Sequence, residues 1–300
     1  MRLLHRASII VLFALAAATT GANAAQRTFP TPEAGVQALV GALEAADANA
    51  VLEIFGTEHE DFLTGGDRAA AREEWRRVYA AAKEAVALRP DNENRIVVVL
   101  GRKAWPMPIP LVKEGNAWRF DTEAGIEEVT NRRIGRNELA AINVARLYLE
   151  AQLAYASRAR DGDRVRKYAQ RLVSTQGKHD GLYWTNEAGD EPSPLGSLAM
   201  AEYTKGRKPG DPYLGYHFRI LTRQGSNAPG GAYDYIINGN MIAGFALVAW
   251  PADYGVSGIM TFLVSHHGDV LQKDLGEDTE KIVAALEAYD PDDTWDEVGD

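Results

Sequence analysis

Hydrophobic positions in the first part of the chain recur at helical spacing. Thr31-Pro32-Glu33 combines a hydroxyl cap, a proline at the first helical position and a carboxylate beside the positive helix end, a combination that begins helices. Val36, Leu39 and Leu43 follow on one face. The pattern therefore predicts an amphipathic helix with one buried stripe.

The pattern then changes from helical to strand-like spacing. After two further predicted helices, at 48–55 and 67–87, a β-branched run at 95–101 predicts a strand. A second strand at 105–112 is irregular, because its prolines cannot donate to a ladder. Helices followed by a small bent antiparallel sheet indicate an α+β domain, and this arrangement resembles the cone-shaped NTF2-like domains.

A long helical pattern at 136–160 opens the second half of the chain. We expect its apolar face to be buried. The predicted buried face carries Leu139, Ile142, Leu149 and Leu153. A shorter helix is predicted at 163–173, so that the two form a helical hairpin packed on a sheet.

Strand-like runs separated by turn signals fill residues 211–276 and predict an antiparallel sheet of four to five strands. Asn238-Gly239 fits a two-residue hairpin turn, whose backbone requires positive φ. The unbroken apolar run at 242–250 is typical of a central strand covered on both faces. A closing helix at 279–288 and an acidic tail, mobile except at Trp295, complete the predicted α+β fold.

The first 24 residues have the pattern of an export signal. Arg2 and Arg6 supply its positive end, and Ala22-Asn23-Ala24 is a small-residue cleavage site. We expect a mature chain in the periplasm or outside the cell, with no stable membrane insertion after cleavage. The predicted domain limits are 1–24 for the signal, 25–130 for the N-terminal α+β domain, 131–276 for the long helix and sheet, and 277–300 for the C-terminal helix and acidic tail.

Composition excludes several classes of chemistry. The chain has no cysteine, which excludes disulfides, thiolate metal ligands and a catalytic thiol. Its formal charge is −10, and 11 acidic residues from Asp274 onwards face a single lysine, Lys281. An acidic, exported chain is poorly suited to nucleic acid. We therefore expect no nucleic acid as partner, and instead an envelope protein or a small ligand.

Several unusual words occur in order along the chain. They are TPEAGVQAL, GKHDGLYW, PSPLG, APGGAYDYIINGNMI, GFALVAWPADYG and MTFLVSHHGDV. In these motifs the chain resembles the bacterial family called domain of unknown function 2950. The resemblance implies an exported α+β protein, and it carries over no catalytic residues. The helix and sheet of the second half are also similar to pilin and pseudopilin heads. Those proteins begin their helix as an apolar membrane segment, whereas residues 132–153 carry charge throughout.

Few side chains in the sequence could carry acid-base or metal chemistry. His179-Asp180 could supply a base and its orienting carboxylate, or Asp180 could simply bond nearby backbone in a turn. Asp234 could be a buried acid, could be held ionised by Arg219, or could simply form a structural ion pair or a cross-strand hydrogen bond. His266-His267 is poorly suited to a single metal ion, because adjacent strand residues point to opposite faces.

Two functions are compatible with this sequence. The sequence lacks the G-x-S-x-G, H-E-x-x-H, phosphate-loop and dinucleotide-binding motifs. Their absence favours a non-enzymatic binding or assembly module of the cell envelope, with no cofactor and no metal. The alternative is a periplasmic hydrolase or small-ligand enzyme that uses Asp234 and the His179-Asp180 loop. Convergence of these groups in one pocket would favour the enzyme.

Overall fold

The computed structural model describes residues 26–65, 68–160, 162–184, 191–196 and 211–299. The chain forms two compact units, one up to Glu128 and one from Val129, and this boundary falls inside a long helix. The predicted export signal at 1–24 lies outside the described residues. No helix within the described ranges combines the length and apolarity needed to cross a membrane.

The first unit opens with helices whose starts follow from capping residues. They are α1 Pro32–Glu44, α2 Ala48–Phe55, a 3-10 turn Thr57–His59, α3 Glu60–Thr64 and α4 Arg68–Glu84. The Thr31 hydroxyl accepts the Ala34 amide, which confirms the predicted start of α1. Asp47 caps α2 in the same way, because its carboxylate accepts the amides of Asn49 and Ala50.

An antiparallel sheet follows these helices in the first unit. Its strands are β1 Val86–Asn92, β2 Arg95–Leu100, β3 Trp105–Pro106, β4 Leu111–Glu114 and β5 Ala117–Phe120, in the order β1-β2-β4-β5 with β3 paired to β2. The helix predicted at 67–87 ends at Glu84, and β1 follows it. β1 is largely exposed, so it lacks the apolar alternation that would have identified a strand.

The second unit packs one long helix on one antiparallel sheet. The helix is α5 Thr122–Ala156, which begins in the first unit, and the five sheet strands are β6 Tyr216–Leu221, β11 Ala246–Pro251, β12 Met260–Ser265, β13 Val270–Asp274 and β14 Asp296–Glu297. Two short hairpins precede β11; they are β7 Arg223–Gln224 with β8 Tyr233–Asp234, and β9 Ile236–Ile237 with β10 Asn240–Met241. A short helix, α6 Thr279–Ala285, lies between β13 and β14.

The predicted α+β class and antiparallel sheet are confirmed. The sheet order is β14-β13-β12-β11-β6, so β11 lies between two strands, and nearly all of its residues are buried. Asn238 and Gly239 have φ of 49° and 79° and connect β9 to β10, as a two-residue hairpin turn requires. The predicted turn is therefore correct, although the strands that it joins are only two residues long.

The buried face of α5 agrees only in part with the predicted one, since Ile142 is buried and Leu149 packs against the core. It is built from small residues and tyrosines, namely Ala141, Ala145, Tyr148, Ala151 and Tyr155. Leu139, Leu147 and Leu153 are instead 65%, 42% and 54% exposed, and we call them the leucine face. Alanine allows the sheet to approach the helix closely, and the tyrosine rings fill the space between, so the prediction is correct for Ile142 and Leu149 and wrong for Leu139 and Leu153.

The helix predicted at 163–173 does not form, because backbone groups of this segment make hydrogen bonds to groups outside the segment. The fully buried Gln152 accepts the Ala169 amide through Oε1 at 2.8 Å and donates Nε2 to the Ala169 carbonyl at 2.8 Å. Tyr168 donates its amide to the carbonyl of Met241. These bonds replace the i to i−4 bonds of a helix, so the described second unit has no helical hairpin of the predicted kind.

The acidic C-terminal segment is ordered on the sheet, contrary to the expectation of a mobile tail. β14 pairs with β13, and the amide of Val298 donates to the carbonyl of Val270 at 2.9 Å. Lys273 lies 5.9 Å from the Trp295 ring centre and 3.8 Å from a carboxylate oxygen of Asp292. Apolar packing and the contacts of Lys273 therefore hold this segment on the sheet, although its negative charge by itself would predict a solvent-exposed segment.

We expect Gln152→Leu to destabilise the protein by about 2–4 kcal/mol, because both backbone groups of Ala169 would be buried without partners. Gln170→Leu is the matched control, since Gln170 is exposed and makes a single bond to the Gly239 carbonyl. Its effect should stay within about 0.5 kcal/mol. Urea unfolding of both variants measures the difference, and equal effects would contradict the role given to Gln152.

Candidate functional site

The loop that contains His179 and Asp180 is held by a compact turn. Asp180 accepts the backbone amide of Thr175 at 2.7 Å and its hydroxyl at 2.8 Å. Gly181 lies against the backbone of Val173 and Ser174, and a Cβ there would approach within 2.7 Å. This turn geometry explains why Asp180 and Gly181 occur in the GKHDG motif.

The charge of Asp180 is fixed by this turn. Partial burial alone would raise the pKa of its carboxyl, but the hydrogen bonds from Thr175 and the charge of Arg171 outweigh burial and hold the pKa below its ordinary value. The Arg171 Nε lies 3.9 Å from the carboxylate. A carboxylate held ionised in this way is a poor general acid at neutral pH.

His179 lies over an aromatic and cationic cluster. Its ring centre is 4.4 Å from that of Trp184, and its carbonyl accepts the Tyr155 hydroxyl at 2.7 Å. The Arg160 guanidinium lies 4.5 Å above the Tyr155 ring and 6.0 Å from the Trp184 ring. These contacts fix the loop against the end of α5.

A small open cleft of about 240 Å³ borders this cluster. It is lined by Tyr155, Arg160, Gly162, Asp163, Lys167 and Asp180. Its charges already pair with described neighbours, since Lys167 binds Asp163 and Arg160 binds Glu191 at 3.0 Å. The cleft therefore presents a neutralised lining rather than a group prepared for proton transfer.

Asp234 lies on the surface of the β7–β8 hairpin. Its side chain is 66% exposed and its Oδ1 is 3.2 Å from the Nε of Arg223, the residue opposite it in the hairpin. Arg219 instead donates Nη2 to the carbonyls of Val283 and Leu286, at 2.5 and 2.7 Å. Arg219 thus caps the C-terminal end of α6, and the hypothesis that it pairs with a buried Asp234 is not supported.

His266, directly after β12, occupies a partly buried polar site. The Nε2 of His266 is 3.4 Å from the Tyr233 hydroxyl, whereas its Nδ1 is buried and has no hydrogen-bond partner among the residues that the structure describes. The Tyr235 ring meets the imidazole edge-on at 5.4 Å. Any Cβ on Gly244 would lie 2.8 Å from the His266 ring. The glycine inside an otherwise apolar run was the sequence signal for this close approach.

The glycine-rich loop beside this histidine is held from within. Gln224, 2% exposed, donates its amide to the carbonyls of Pro229 and Gly231 and accepts the Tyr235 hydroxyl. A Cβ on Gly225 would lie 2.2 Å from the Asp290 carboxyl group. The loop 225–232 is therefore a rigid connection, in agreement with a role in shaping the strand rather than in holding phosphate.

The contacts of the candidate residues fall in two separate sets within the described chain. Asp234 contacts Arg223, whereas Asp180 contacts Thr175 and His179 contacts Trp184, and Asp234 does not line the cleft beside Asp180. Among the described residues, no group of three or more histidines and carboxylates has the arrangement of a metal site. Each candidate residue has a contact that supports the local fold.

We expect His266→Asn to reduce the loss of stability on acidification. Burial, followed by the charge of His267, lowers the pKa of His266 below 6.5. The neutral imidazole therefore contributes stability that is present above pH 6.5 and is lost as pH falls through the folded-state pKa.

The urea midpoint at about pH 7.5 and pH 5 measures this effect, since the unfolded histidine titrates between those values. The wild type should lose more stability between them than His266→Asn, and His217→Asn controls for the removal of a histidine. An unchanged pH dependence in His266→Asn would contradict the burial argument.

The comparisons with known proteins identify a family but no individual related protein or solved structure. The family model described as "Protein of unknown function (DUF2950)" matches residues 26–298. Neither the curated proteins nor the solved structures contain a match. The similarities to NTF2-like domains and to pilin heads therefore stay predictions. Because the family model covers nearly the whole chain, the protein belongs to the DUF2950 family.

Proposed function

We propose that this protein is an exported module of the bacterial cell envelope that binds or assembles with a partner and does not catalyse a reaction. The observation that carries the proposal is the leucine face of α5. Its three leucines are between 42% and 65% exposed and lie within an arc of about 120°, at about 100° per residue. A single exposed leucine is ordinary, whereas several on one helix face are typical of a contact surface.

The positions of the candidate catalytic residues support the same proposal. Asp180 is committed to a turn, Asp234 to an exposed ion pair, and Arg219 to the end of a short helix. General acid-base catalysis needs groups that converge on one reacting atom. The contacts of these side chains provide stability, and they leave the leucine face as the surface best suited to a partner.

Export is supported by the sequence of residues 1–24. The basic end, the apolar segment and the small-residue cleavage site favour passage across the inner membrane. An envelope location would place the leucine face where it can meet other exported proteins.

The alternative function, a periplasmic hydrolase or small-ligand enzyme, has one observation in its favour. The cleft beside Asp180 has aromatic and charged residues in its lining, although its volume of about 240 Å³ is below the range usual for ligand pockets. Its acidic and basic groups are already paired, and neither His179 nor Asp234 lines it. The alternative therefore has less support than the binding module.

A photo-crosslinking amino acid placed at Leu153 tests the proposal in the native bacterium. The tagged protein should be recovered from the envelope fraction, and Leu153 should give a discrete crosslinked product, because a partner would cover this position. The same amino acid at Lys113, an exposed position on β4, is the control and should give none. Recovery from the cytoplasm, or equal crosslinking from both positions, would contradict the proposal.

A further inference from the structure

Two of the exposed leucines of α5 are placed symmetrically about Arg146. Leu139 lies seven residues before this arginine and Leu153 seven residues after it. Seven residues are about two helical turns, so all three side chains lie near one line along the helix. A surface with this spacing is complementary to a reversed copy of itself.

We propose that the leucine face is a self-association surface, on which α5 of a second copy of this chain packs antiparallel around a two-fold axis at Arg146. The inference rests on the proposed function and names its partner. In such a pair, Leu139 of one copy lies opposite Leu153 of the other, and the reciprocal contact forms by symmetry. Both leucine contacts remove half-exposed side chains from water.

Charge complementarity favours this arrangement. Glu150 is exposed and lies one turn beyond Arg146 on the same side of the helix. In the antiparallel pair each Arg146 lies about one turn, roughly 5.4 Å along the axis, from Glu150 of the second copy. These two contacts offset the repulsion between the arginines at the axis.

Among the described residues, Arg146 has one weak hydrogen-bond partner. Its described contact is a hydrogen bond of 3.4 Å from Nη2 to the carbonyl of Gly299, which is at the long limit for such bonds. The arginine can therefore turn towards a second copy at small cost.

The size of the surface predicts a weak dimer. The segment from Leu139 to Leu153 is about 21 Å long, and one helix face of this length is smaller than the roughly 800 Å² per partner of a standard interface. We expect reversible association with a dissociation constant on the order of tens of micromolar. The protein would then associate where its local concentration is high.

Sedimentation equilibrium of the purified protein, between about 5 and 500 µM, tests the inference over the range of weak interfaces. The wild type should show a monomer–dimer equilibrium. Leu153→Glu should weaken it at least about tenfold, because it places a charge in the contact, and Lys113→Glu should leave it unchanged. A wild type that stays monomeric, or a Leu153→Glu variant that associates like the wild type, would overturn the inference.

Charge exchange gives a test that misfolding cannot imitate. Arg146→Glu alone and Glu150→Arg alone should each weaken self-association, because each brings like charges together across the axis. An equimolar mixture of the two variants should associate at least about tenfold more tightly than either alone, since opposite charges then face each other. A mixture no tighter than its components overturns the proposed geometry.

The two tests separate this inference from the broader function. A wild type that is monomeric in the ultracentrifuge, together with a crosslink from Leu153 to a different protein, overturns self-association and keeps the binding module. A crosslinked product with twice the mass of the chain supports both.

Discussion

The second unit depends on the way in which α5 lies against its sheet, and the interaction that fixes this position is the side-chain amide of Gln152. This fully buried amide pairs with both backbone groups of Ala169 and also bonds the Tyr148 hydroxyl. Tyr148 in turn donates to the carbonyl of Ala246 on β11 at 3.2 Å. One connected set of hydrogen bonds thus joins the helix, the neighbouring coil and the central strand, and a buried set of this kind permits only one orientation.

This orientation explains which parts of the helix are free to act. The sheet covers the alanine and tyrosine side, so Leu139, Leu147 and Leu153 face away from it. If the leucine face packed on the sheet instead, the helix would bury more apolar area and would leave no exposed contact surface. The proposed binding function therefore follows from the packing of the helix rather than from a constellation of reactive groups.

Much of the fold could be predicted from local sequence signals. The cap at Thr31, the Asn238-Gly239 turn and the apolar run of β11 each have a local physical cause, so they can be read from neighbouring residues. The coil at 163–173 could not be predicted, because its conformation depends on Gln152, which lies 17 residues from Ala169. The order of the acidic tail similarly depends on contacts with β13.

The candidate site was less predictable than the fold, for the same reason. Whether Asp234 is buried, and which arginine it meets, depends on the pairing of β7 with β8 rather than on the two tyrosines beside it. His266 looked like an ordinary turn residue, although its ring packs against Gly244 and the buried Tyr235. Long-range packing of this kind leaves only a faint local signal, here a single glycine.

The orientation of α5 is tested most directly by the reactivity of single cysteines, since the chain contains none of its own. Leu153→Cys and Ala145→Cys would be treated with a maleimide in dilute solution, where self-association is absent. The structure predicts rapid labelling at position 153, where the side chain is 54% exposed, and protection until unfolding at position 145, which is 0% exposed. Protection at 153 together with rapid labelling at 145 would mean that the leucine face packs on the sheet, and would contradict the orientation of α5 described above.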